Sequence, residues 1–109
     1  MSIDLSALTT SITEAAAGAT KGHAQDLKTY IEARAKLLAA GADQIAADRL
    51  AGKITDDDVR FAFQQIKEAE QTALLAVKVT LKAAAQDAIN AALAVVVSAI
   101  NKAIGIALL

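Results

Sequence analysis

Apolar residues recur every three or four positions from the start of the chain: Leu5, Leu8, Ile12, Ala15 and Ala16, and later Leu27, Ile31, Ala35, Leu38, Ala42 and Ile45. That spacing lines one face of an α-helix each time. It predicts helix one over 3–18 and helix two over 22–51. Between them, Gly18-Ala19-Thr20-Lys21-Gly22 holds two glycines, each costing about 1 kcal/mol inside a helix. A hinge or short loop is expected there, interrupting the first arm.

The sharpest punctuation is Leu50-Ala51-Gly52-Lys53-Ile54-Thr55-Asp56-Asp57-Asp58-Val59. Gly52 suits the position just past a helix, where positive φ is required. Thr55 suits an N-cap with Asp58 as its capping-box partner, and Ile54 and Val59 occupy the two positions of a hydrophobic staple. Asp56, Asp57 and Asp58 fill a first turn, where the helix dipole favours negative charge. Four signals therefore agree on a joint at 52–55.

Beyond Asp58 there is no glycine before Gly105 and no proline, so helix three is expected over 56–107, with any break near 86–87 where Asp87 would cap a new helix. Unbroken, it is roughly 78 Å long, against a radius of gyration of about 13 Å for a compact domain of this size. The chain is then a long antiparallel hairpin or a small bundle. Partners across the turn have numbers summing to about 107, which sets helix two against 56–85 and, if helix one continues in line, helix one against 87–104. Folding helix one back onto helix two instead leaves 87–109 protruding.

On a helical grid the last stretch is apolar on more than one side. Ala84, Ala88, Ala92, Val95, Ala99 and Ala103 form a face of small residues, which lets helices approach closely. Ile89, Leu93, Val96, Ile100, Ile104 and Leu108 form a bulky face, and Asn90, Ser98 and Asn101 mark a thin polar stripe. An ordinary surface helix needs one apolar face. Helices one and two offer eleven large apolar residues against nineteen from Val59 onward. Leaving the tail's Leu, Ile and Val in water forfeits about 1.5–3 kcal/mol each, so an external cover is expected. Residues 88–109 are also long enough to cross a bilayer, although Lys102 and the polar stripe make insertion as a lone span marginal.

Composition sharpens the class. Of 109 residues 28 are Ala, 55% are hydrophobic and only 3% aromatic, with no Pro; Ala is the best helix former, and the chain reads as all-α. The absence of Cys removes disulfides, thiolate metal sites and cysteine nucleophiles. Eleven basic against twelve acidic residues leave no field for nucleic acid. No Lys or Arg precedes Lys21, which argues against a secretory signal and for the cytoplasm or an assembled particle, with membrane association as the alternative.

Candidate chemistry is thin. The aspartates at 56–58 point about 100° apart on a helix and lack the alternating ligands of a calcium loop. His23 and Asp26 stand three apart, but a second His for a zinc site is missing. Glu68 and Glu70 diverge on a helix and read as solvated charge. Gly52-Lys53-Ile54-Thr55 lacks the earlier glycine of a phosphate loop. No catalytic, metal or cofactor residue and no small-molecule substrate is expected. The expected function is that of a non-enzymatic structural protein, self-assembling through the two tail faces into a homo-oligomer or larger particle. The alternative is a membrane-active protein, anchored by 88–109 or forming a pore lined by Asn90, Ser98 and Asn101. A third is a small adaptor that buries its tail in a different protein.

Overall fold

The computed structural model describes residues 3–109 and is all-α, with no strand among the described residues. Four helices follow one another: α1 (Leu5–Gly18), α2 (Lys28–Leu50), α3 (Asp56–Ala73) and α4 (Lys82–Ile104). Two short 3-10 turns, Leu74–Ala76 and Val79–Leu81, link α3 to α4.

Local chemistry explains most boundaries. Asp4 caps α1 by accepting from the Ala7 N–H at 3.0 Å. Thr9 and Thr13 donate to the carbonyls one turn back, each at 2.8 Å, so their hydroxyls are satisfied within the helix. Past Gly18 the backbone turns through left-handed conformations at Lys21 (φ 53°) and Gly22 (φ 96°). Residues 24–27 stay in turns, so α2 begins at Lys28 and not at 22. At the second joint Gly52 has φ 75°. Thr55 accepts from the Asp58 N–H at 3.2 Å, while Asp58 accepts from the Thr55 N–H at 2.9 Å, closing a reciprocal cap. Val59 is fully buried, and Ile54 packs against the same core.

The long third helix expected over 56–107 is interrupted, at 74–81 and not at 86–87. Val77 and Lys78 are both extended, with ψ 141°. Asp87 lies inside α4, and its carboxylate faces Lys21 at 3.8 Å instead of capping a helix. No glycine or proline causes this break. Its physical reason is tertiary: the break turns α4 back so that it packs against α1 and α2 together.

Helix pairing follows the hairpin register. Partner numbers sum to 104 at Arg34–Glu70, 107 at Gly41–Ile66 and 105 at Arg49–Asp56 between α2 and α3. Between α1 and α4 the same register brings Asp4 and Ala7 to one groove with Lys102 and Ala99, sums of 106, and it sets Lys21 of the loop after α1 beside Asp87, a sum of 108. The hairpin is therefore present but folded double, with the 19–27 loop and the 74–81 connector side by side at one end around Leu27, Tyr30, Val77 and Leu81. Residues 87–109 do not protrude. α1, α2 and α4 enclose one core, and α3 packs on the outside of α2. At Gly41 a Cβ would come within 3.2 Å of the Ile66 side chain, so the missing side chain lets α3 lie close. The particle measures 43 × 24 × 19 Å.

Candidate assembly surface

The bundle divides the expected interface in two. Ala88, Ile89, Ala92, Leu93, Val96 and Ile100 are buried within the molecule. Ala84, Val95, Ala99, Ala103, Ile104 and Leu108 are half-buried at its surface. The first six cannot meet another chain while the bundle is closed. The premise that helices one and two lack the means to cover the tail is thereby corrected. Their large side chains are few, but Ala16, Ala35, Ala39, Ala42 and Ala46 are buried too. Alanine surfaces let three helices close together, and folding α1 back gives α4 two neighbours where a hairpin gives it one.

A surface still remains. Only 39% of the most apolar stretch of Val79–Ile104 is buried inside the bundle. Between Asp87 and Lys102 no residue is charged. The outward side of α4 presents Asn90, Ala94 and Ser98, flanked by half-buried Ala91, Val95, Val97 and Ala99. Surface helices ordinarily carry charge on the side that faces water. Beside it, a groove between the start of α1 and the end of α4 is lined by Ile3, Ala7, Leu8, Ser11, Ala99 and Ala103, with Lys102 and Asp4 at its edge. Asn101 does different work from its neighbours in the polar stripe. Its Oδ1 accepts from the N–H groups of Leu108 at 3.0 Å and Leu109 at 2.8 Å, fastening the C-terminal residues after Gly105.

Away from this surface the structure reveals a polar cluster that the sequence reading misses. Glu70 is 2% exposed, not solvated, and forms a two-point ion pair with Arg34: Nε donates to Oε1 at 2.9 Å and Nη2 to Oε2 at 2.5 Å. The hydrogen bond to Glu70 holds the Arg34 guanidinium above its ordinary pKa, outweighing desolvation. Tyr30 stands beside the pair with its hydroxyl buried and without a hydrogen-bond partner among the described residues. Burial lifts its phenol above the ordinary value, the Glu70 charge adds to the rise, and Arg34 opposes it. The available signal was positional: Glu70 shares a helical face with Val59, Phe63 and Ile66, and the hairpin register sets it opposite Arg34.

His23 and Asp26 are exposed, with Nδ1 3.4 Å from the carboxylate. The described residues gather no group of three metal-ligating side chains. Asp56 pairs with Arg49 at 2.6 Å and Asp57 with Arg60 at 2.9 Å. Compared with protein-family models, curated proteins and solved structures, the chain matches none of them.

Proposed function

We propose that this chain is a non-enzymatic structural protein that self-associates through the outward side of α4 and the adjoining α1 seam, as a subunit of a homo-oligomer or larger particle. The observation that carries the reading is the uncharged outward face of Asn90, Ala94 and Ser98, with half-buried Ala91, Val95, Val97 and Ala99 beside them, on a helix with two sides already packed. Small side chains admit a second helix closely, and Val95 and Val97, half-buried at the edges of the face, gain further burial when one docks. The test is mass by light scattering at micromolar concentration without detergent. An oligomer is expected, and Ala94→Glu, at an exposed position, is expected to weaken association while leaving the fold's stability within about 0.5 kcal/mol. A wild-type monomer throughout removes the proposal.

A second reading, membrane activity, draws support from α4 itself: with its lead-in turn it is long and apolar enough to span a bilayer. It would have to leave the bundle first, since Ile89, Val96 and Ile100 are sealed inside. Co-flotation with liposomes, lost on truncation after Gln86, is the outcome that favours this reading over the first.

A further inference from the structure

We propose that the chain straightens at its two breaks and exchanges halves with a second copy, so that the closed bundle and an intertwined dimer share the same internal interfaces; this deepens, and rests on, the self-assembly reading. Three observations meet here. The pairs α1–α4 and α2–α3 keep one hairpin register on both sides of the breaks, with partner sums of 104 to 107 between α2 and α3, 106 across the groove between α1 and α4, and 108 where the loop residue Lys21 meets Asp87. The two breaks are nearly equal in length, 19–27 and 74–81, and lie together at one end. Straightening both therefore leaves each antiparallel pair in register and produces the long hairpin that the sequence pattern describes.

The third observation is that no helix-breaking residue marks the 74–81 break, where only β-branched Val77, Val79 and Thr80 weaken the helix slightly. Leu74-Leu75-Ala76-Val77-Lys78-Val79-Thr80-Leu81 contains no glycine or proline, and the residues at its turns are left in water: Leu75 is 75% exposed and Val79 83%. The opposite break holds Lys21 at φ 53°, a conformation unfavourable for a residue with a Cβ. Strained, short hinges are what favours exchange of elements between copies.

The occupant follows from what opening uncovers. A single straightened chain would put Ile31, Ala35, Leu38, Ala42 and Ile45 of α2 in water, together with the face of α4 that they had covered. The surface that fits this row is the α1–α4 half of the same sequence, now supplied by a second copy. Two straight hairpins lying side by side, head to tail, rebuild two complete bundles. Their connectors then run together at the two-fold axis, where Leu75 and Val79 can meet their counterparts. Such a dimer carries two outward α4 faces and so can extend assembly in two directions.

Two substitutions push the equilibrium in opposite senses. Lys78 has φ −56° and follows an extended Val77, a site that proline fits in the closed form and that it denies to a straight helix. Lys78→Pro is expected to reduce the exchanged dimer at least tenfold. Gly22 has φ 96° with open space around it, so Gly22→Ala disfavours the closed loop by backbone conformation alone and is expected to raise the dimer fraction. The decisive measurement uses the Cys-free background. Thr10→Cys and Lys36→Cys, which line one shallow groove between α1 and α2, carry spin labels, and the labelled chain is refolded with a tenfold excess of unlabelled wild type. In the isolated dimer the intrachain distance is expected to lengthen to about 39 Å, the span of the intervening residues as one straight helix. A dimer that keeps the short distance overturns the exchange and leaves self-association standing. A monomer under all conditions overturns both.

Discussion

Tyr30 carries the one buried side-chain polar atom that lacks a hydrogen-bond partner among the described residues. Its hydroxyl lies beside an ion pair whose members satisfy each other. An unpaired buried hydroxyl costs free energy that an apolar group of the same shape does not. Tyr30→Phe is therefore expected to be stabilising, by about 1 kcal/mol, in urea denaturation at neutral pH. The same substitution has a pH signature. Because burial raises the Tyr30 phenol, the folded state prefers it protonated. That contribution is complete below the ordinary tyrosine value of about 10 and is lost as pH rises through the higher folded value. Wild type should therefore lose stability in this alkaline range more steeply than Tyr30→Phe. Parallel alkaline profiles, or a destabilised Phe variant, would show that the hydroxyl is satisfied in solution.

At the scale of elements, the difference between the two interhelical joints shows what a sequence can reveal. The 52–55 joint is legible because its determinants are neighbours in the chain: a left-handed glycine, a reciprocal Thr55–Asp58 cap and a staple of Ile54 with Val59. The 74–81 connector is illegible because its local signal is weak, no more than the β-branched Val77, Val79 and Thr80; packing of α4 against two helices at once decides its course. The antiparallel register was readable, and so was the apolar character of α4, but not which residues would cover it. Counting large side chains alone overlooked the alanines of α2. The burial of Glu70 is hidden for a related reason, since its partner Arg34 lies on another helix and is brought near by the fold. Ala92 makes the consequence measurable. It is 1% exposed within the monomer, so Ala92→Leu overpacks the bundle itself. The expected loss is about 1–3 kcal/mol of folding stability, seen at concentrations where the chain is monomeric. Unchanged monomer stability would mean that α4 sits less tightly against its neighbours than this packing requires.

For the molecule as a whole, the helices do not share the core equally. α2 and α4 each bury seven residues, whereas α3 buries only Val59 and Glu70 and leaves Phe61 66% exposed. α1, α2 and α4 touch one another mutually, while α3 leans on α2. Regions with few buried contacts open locally at lower free energy than the global unfolding step. α3 should accordingly form the least stable part of the closed bundle, held by the Arg34–Glu70 pair and by Ile66 against Gly41. Native-state hydrogen exchange reads this directly. Amides in the middle of α3 are expected to exchange at least tenfold faster than those in the middle of α2 and α4, a gap of about 1.4 kcal/mol in opening free energy. Weakening the ion pair by Glu70→Gln should widen that gap, because the loss falls on the α2–α3 contact and spares the three-helix core. Equal protection in all four helices would instead make the bundle a single cooperative unit, in which α3 contributes as much as the helices it covers.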